Sequence, residues 1–83
     1  MNRWIMTDES IINTHYIHRI FVDRPAYAGL YYLKADTERG TETLYAAETK
    51  EEIYNTITVL LNWLKDPNKE TVFTISSINL KDL

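Results

Sequence analysis

The chain has 83 residues, no cysteine and a formal net charge of −3, from 9 basic and 12 acidic side chains. Without cysteine it forms no disulfide and no thiolate zinc site, and its acidic balance disfavours a broad electrostatic footprint for nucleic acid. Its length predicts one domain, residues 1–83, that buries only about 60–65% of its unfolded surface, so self-association is a common source of added stability.

The first half of the chain has the pattern of short β-strands joined by turns, because β-branched and aromatic residues are concentrated in four segments. The predicted strands cover residues 4–6, 11–22, 28–36 and 43–47. Asn13 is expected to interrupt the second of them, since its side chain favours bonds to nearby backbone. A turn at 23–26 contains a proline, and Gly40 closes a hairpin loop at 37–40 that requires a positive φ.

Residues 49–67 predict one amphipathic helix with both ends encoded. Thr49 is the expected N-cap, and Glu52, three residues later, completes a capping box with it. Pro67 disfavours α geometry in the residue before it, so the helix is expected to end near Lys65. The apolar stripe expected to lie against the sheet consists of Ile53, Ile57, Leu60, Leu61 and Leu64.

The apolar surface of this helix is wider than a small sheet covers. Val59 and Trp63, spaced i, i+4, widen one edge of the stripe. Two interpretations follow: a loop or the C-terminal segment of the same chain covers Trp63, or the pair contacts a second chain. In the second case Trp63→Ala dissociates a dimer without unfolding it.

A further β-prone segment, residues 71–76, follows a turn at 66–69. Phe73 and Ile75 alternate with polar residues, so one face of this segment is expected to be buried. Its partner is either an edge of its own sheet or the edge of another chain. Residues 78–83 are compatible with a strand, a helical turn or disorder.

Side chains of the kinds used in catalysis or cofactor binding form no recognisable motif. His15 and His18 would share a face of a helix, but the surrounding residues favour a strand, on which the two side chains point to opposite faces and cannot bind one metal ion together. The sequence also allows a single turn at residues 13–16. Glu51 and Glu52 are explained by the helix N-terminus, and two isolated glycines do not form a phosphate loop. We therefore predict no enzyme activity, no metal, no cofactor and no small-molecule ligand.

An alternative function is an accessory regulator that contacts nucleic acid through a Tyr/Arg/Lys sheet surface. Tyr31, Arg19 and Lys34 supply the aromatic and basic side chains that stack on bases and neutralise phosphates. The chain lacks a ribonucleoprotein-type signature, and its acidic balance favours a protein-interaction module instead.

The order of the elements resembles a group of small proteins. An apolar strand leads to Asn13, a hairpin turns at Gly40, and a strand runs into the cap Thr49-Lys50-Glu51-Glu52 and a closing helix. This arrangement, over residues 4–65, resembles small uncharacterised α+β proteins of Gram-positive bacteria and their phages. The resemblance implies an intracellular α+β module and assigns no catalytic residues.

The predicted fold is α+β, an antiparallel sheet of four to five strands with one long amphipathic helix packed on one face. The predicted function is a small non-enzymatic protein-interaction module that self-associates, a cytoplasmic homodimer without membrane contact. The interface candidates are Val59, Trp63, Val72, Phe73 and Ile75.

Overall fold

Six strands and one α-helix make up residues 3–24 and 29–75, the part of the chain that the computed structural model describes. In chain order the elements are β1 (Trp4–Met6), β2 (Ile11–Asn13), a 3-10 turn (Thr14–Tyr16), β3 (Ile17–Asp23), β4 (Tyr31–Thr37), β5 (Gly40–Ala47), α1 (Lys50–Lys65) and β6 (Val72–Thr74). The α+β class is confirmed. The predicted tail 78–83 lies outside the described residues, as does part of the predicted turn at 23–26.

The strands form two three-stranded sheets instead of one larger sheet. The first has the order β2-β1-β6 and the second the order β3-β4-β5. Neighbouring strands are antiparallel except β1 and β6, which are parallel. The expected single antiparallel sheet of four to five strands is therefore corrected. The 3-10 turn separates β2 from β3, and a parallel pair becomes possible because a long connection that includes α1 returns the chain beside β1.

The division between the two sheets begins at Asn13. Its Oδ1 accepts a hydrogen bond from the backbone N–H of His15 at 2.9 Å, and the 3-10 turn follows directly. The predicted interruption is confirmed, because this side chain offers the backbone an alternative to the strand ladder. The Thr14 N–H still donates to the Arg3 carbonyl oxygen at 2.9 Å, which ties the turn to the first sheet.

The second sheet contains a hairpin and a β-bulge. Gly40 has a φ of 123°, as the predicted loop requires. Further along β5 the register shifts: Tyr45 is opposite Leu33 and Thr43 is opposite the next residue of β4, so Leu44 is an extra residue. The bulge explains why Leu44 and Ala47 are both buried although they are three positions apart.

The helix has the predicted ends. α1 covers Lys50–Lys65, and Oγ1 of Thr49 accepts a hydrogen bond from the Glu52 N–H at 3.2 Å. Among the described residues, the reciprocal hydrogen bond of a capping box, from the Thr49 N–H to the Glu52 carboxylate, is not formed. Glu51 and Glu52 instead supply negative charge to the first turn, and Lys65 supplies positive charge to the last.

A single buried cluster joins both sheets and the helix. Its members are Ile5, Ile12, Leu33, Ala35, Leu44, Ala47, Ile53, Leu60, Trp63 and Ile75. Of the helix stripe expected in the core, Leu61 and Leu64 are instead exposed and Ile57 is only partly buried. The helix is rotated about its axis from the expected orientation, because turning the large indole of Trp63 inward removes more apolar area from water than turning a leucine inward.

Trp63 is only 2% exposed and is covered by its own chain. Its Nε1 donates to the Glu70 carbonyl oxygen at 2.7 Å, and its ring centroid lies 5.2 Å from that of Phe73. The Arg3 guanidinium lies over the indole at 4.1 Å and donates to the carbonyl oxygens of Trp63 and Leu64. These carbonyls form the negative end of the helix dipole, where a cation is favourable. The intrachain interpretation of Trp63 is the observed one.

The last strand also pairs within its own chain. Ile5 of β1 is opposite Phe73 of β6, and the Ile75 N–H donates to the Met6 carbonyl oxygen at 2.8 Å. Ile75 is buried and Phe73 partly buried, so Val72 is the one interface candidate of this strand with an exposed side chain.

Trp63→Ala is expected to lower the free energy of unfolding by about 3–5 kcal/mol, because it empties the position where α1, β6 and Arg3 meet. Urea denaturation followed by far-ultraviolet circular dichroism measures this loss. Val59→Ala, at an exposed position of the same helix, is the control and should change stability by less than about 0.5 kcal/mol. A Trp63→Ala variant as stable as the wild type would contradict the intrachain role.

Candidate interaction surface

Three exposed apolar residues of α1, together with the partly buried Ile57, form a second stripe beside the buried one. Tyr54, Ile57, Leu61 and Leu64 are spaced i, i+3, i+7, i+10. At about 100° per residue they fall within an arc of roughly 80°. Tyr54, Leu61 and Leu64 are 51%, 46% and 37% exposed, and Ile57 is partly buried. We call these four residues the helix seam.

The spacing of the helix seam is that of the a and d positions of a heptad, along which one helix packs on another. A helix that buries one stripe normally presents polar residues elsewhere. Ile57, Leu61 and Leu64 were expected in the core; Ile57 does pack partly against it, whereas Leu61 and Leu64 are exposed. Tyr54 was the available signal, since it continues their spacing for one more position.

The two sides of the helix seam differ in chemistry. The inner side borders the buried residues Ile53 and Leu60. The outer side presents Glu51, Thr58 and Lys65, which are exposed and lie seven residues apart. The Thr58 hydroxyl donates to a backbone carbonyl oxygen one turn earlier in the helix at 3.0 Å. The outer side is therefore acidic at the start of the helix, neutral in the centre and basic at the end.

Val59 lies on the opposite side of the helix, about 180° from the centre of the seam. It is 56% exposed, but its predicted partner Trp63 is buried in the core. Its neighbours on that surface are the exposed residues Asn55 and Asn62. A single exposed apolar residue of this kind is normal and does not mark a binding site by itself.

The Tyr/Arg/Lys surface lies on β3 and β4, where its cations are paired. Arg19 forms an ion pair with Asp36 at 2.8 Å, and Lys34 forms one with Asp23 at 2.8 Å. Tyr31 packs partly against the core. Because a carboxylate neutralises each of these two cations, the surface attracts phosphate less than its basic residues suggest.

The Asp36 carboxylate is also held by the neighbouring strand. The Thr41 hydroxyl donates to its Oδ1 at 2.8 Å, and Nε of Arg19 donates to its Oδ2 at 3.0 Å. The hydrogen bond from Thr41, followed by the bond and charge of Arg19, lowers the pKa of Asp36, although desolvation opposes the shift. The ionised form is therefore favoured in the folded protein.

The two histidines lie in different elements, His15 in the 3-10 turn and His18 in β3. The His15 ring makes an edge contact with the Tyr16 ring, with centroids 5.4 Å apart. Across residues 3–24 and 29–75, no three His, Asp or Glu side chains come close enough together to hold a metal ion.

An open groove of about 640 Å³ lies between β2 and the end of the β4–β5 hairpin. Its lining includes the apolar or aromatic residues Ile11 and Tyr16 and the charged residue Arg39. The Ser10 hydroxyl donates to the Glu42 carboxylate across it at 3.1 Å. The charges along it have both signs and do not converge on one point, so the groove defines no ligand class.

Within the described part of the chain, no helix has the length and apolar character needed to cross a bilayer. No family model, curated protein or solved structure matches this chain. The resemblance to proteins of Gram-positive bacteria and phages therefore stays a prediction, as does the cytoplasmic location.

Thr41→Val is expected to raise the pKa of Asp36 toward its ordinary value of 3.8, because the hydrogen bond that lowers it most is lost. A depressed carboxyl pKa stabilises the fold above the unfolded pKa, and this contribution disappears as the pH falls through the folded pKa. The variant should therefore lose less stability than the wild type on acidification below 3.8.

Carboxyl NMR titration of Asp36 measures the shift, and urea denaturation at about pH 6 and about pH 2 measures its effect on stability. Thr43→Val, on the same strand, is the control and should leave the Asp36 titration unchanged. An Asp36 titration that is the same in Thr41→Val and in the wild type would show that the hydroxyl is not the cause.

Proposed function

We propose that the protein is a small non-enzymatic interaction module that self-associates through the helix seam formed by Tyr54, Ile57, Leu61 and Leu64. The main support is that this stripe is exposed on a helix that already buries another apolar stripe. Ile53, Leu60 and Trp63 are buried against the same chain and Ile57 is partly buried there, which leaves Tyr54, Leu61, Leu64 and the outer part of Ile57 available to a second helix.

Burial of the helix seam would supply the driving force. Fully burying a large apolar side chain contributes about 1.5–3 kcal/mol, and the seam residues still have a substantial part of this area in water. In a symmetric dimer each seam residue is buried in both copies, so its contribution to the free energy of association is counted twice. Because the seam is only three turns long and association costs rotational and translational freedom, we expect a weak, concentration-dependent dimer.

The size of the domain favours the same function. A chain of this length buries a small core, to which the described residues contribute ten buried apolar side chains; its stability is therefore modest, and association of folded copies adds to it. The proposed interface differs from the one predicted from the sequence, which used Val59 and Trp63. Trp63 is not free to contact a second chain, because Arg3 and Phe73 of its own chain already cover the indole.

Leu61→Glu is expected to abolish self-association, because it places two carboxylates at the centre of the apolar contact. The apparent dimer dissociation constant should rise at least about 100-fold. Light scattering and sedimentation over a concentration series measure this change. Val59→Glu is the matched control, since it introduces the same charge at an exposed position of the same helix, and it should associate like the wild type.

The outcomes separate the possible functions. If Val59→Glu dissociated the dimer and Leu61→Glu did not, the interface would lie at Val59 and Trp63, as the sequence predicted. A wild-type chain that stays monomeric at high concentration would remove self-association. If that monomer also retained mixed DNA and RNA in a low-salt gel-shift assay, the nucleic-acid alternative would replace the proposal.

A further inference from the structure

The charges beside the helix seam define how two copies would be oriented. We infer that the two helices pack antiparallel, with Glu51 of each copy beside Lys65 of the other and with Thr58 near the two-fold axis. The inference rests on the proposed self-association and adds the orientation of the partner to it. Glu51 and Lys65 are exposed, of opposite charge, and each seven residues from Thr58.

The apolar residues of the seam fit the same alignment. An antiparallel pair in which Tyr54 lies against Leu64 of the second copy also places Ile57 against Leu61. Along the helix, the midpoint between the two residues of each apolar pair is position 59, and the midpoint between Glu51 and Lys65 is position 58. At a rise of about 1.5 Å per residue these two centres nearly coincide. One arrangement therefore buries the seam and pairs the charges at both ends.

A parallel arrangement lacks this complementarity. In a parallel pair the two copies of Glu51 lie at one end and the two copies of Lys65 at the other, on opposite sides of the contact, so that no Glu51 faces a Lys65. This arrangement would also align the two helix dipoles, whereas antiparallel helices place opposite ends together.

The arrangement is self-complementary, which identifies the partner as a second copy of this chain. The same patch of surface serves both copies, so the contact closes after two and does not continue into a fibre. An unrelated amphipathic helix could cover the four apolar residues, but it would need the same spacing of acid and base to match both ends. Charge complementarity of this kind contributes more to specificity than to affinity.

Charge reversal tests the orientation. Glu51→Lys and Lys65→Glu each convert two attractive pairs into repulsive ones, so each should weaken the dimer about tenfold at low salt. The difference in dimer dissociation constant between each variant and the wild type should shrink as added salt screens the charges. In the double variant position 51 is basic and position 65 is acidic, so each pair again joins opposite charges. Its dissociation constant should return to within about twofold of the wild-type value.

The double variant also controls for effects on the monomer. All three variants place charges unfavourably with respect to the helix dipole, and the double variant does so at both ends. Restored association in the double variant therefore cannot come from a more stable helix. Thermal unfolding at a concentration where every variant is monomeric confirms that each one is folded.

Spin labels give an independent measurement of the orientation. The chain has no cysteine, so Glu48→Cys introduces a single labelling site directly before α1. In an antiparallel dimer the two labels are separated by at least the length of the 16-residue helix, about 24 Å at 1.5 Å per residue. In a parallel dimer they are separated by about the distance between packed helices, roughly 10 Å.

The failure of this inference differs from the failure of the proposed function. A dimer that Leu61→Glu dissociates, but that the charge reversals leave unchanged or whose labels lie close together, would overturn the antiparallel arrangement and keep the seam. The antiparallel arrangement is supported if the two labels are far apart, if each single charge reversal weakens the dimer and if the double variant restores it. A wild-type chain without any dimer overturns both proposals together.

Discussion

The burial of Trp63 at the end of the helix is the contact on which the rest of the structure depends. Arg3, before the first strand, stacks on the indole and donates to the last carbonyl oxygens of α1, while Phe73 of the last strand packs against the ring. The start of β1, the last strand β6 and the end of α1 therefore meet at one side chain. The parallel pairing of β1 with β6 lies directly beside this cluster.

The same contact explains the proposed interaction surface. Turning the indole inward rotates α1, and the rotation moves Leu61 and Leu64 from the expected core to the surface. There they line up with Tyr54 and Ile57 at heptad spacing. The helix seam is therefore a consequence of how the chain buries its largest helical side chain, and the function that we propose is tied to the stability of the fold.

Local features could be predicted because the interactions that produce them lie within a few residues. The side-chain bond at Asn13, the cap at Thr49, the positive φ at Gly40 and the end of the helix before Pro67 all follow from neighbouring backbone and side-chain chemistry. The orientation of the helix was predicted less well. The apolar residues of the candidate site were recognised, but Leu61 and Leu64 were placed in the core and two interpretations of Trp63 stayed open, because the pattern alone does not show which apolar stripe faces the sheet.

The sequence by itself determined where the strands and the helix lie, which helix positions are apolar, and that catalytic and metal-binding motifs are lacking. Only the tertiary structure decided that the strands divide into two sheets, that β6 returns beside β1, and that Trp63 lies inside while Leu61 lies outside. The physical reason is the range of the interactions. Caps and turns are set by neighbours along the chain, whereas helix rotation and strand pairing depend on burying the most apolar area among segments far apart in the sequence, as in the pairing of Ile5 with Phe73.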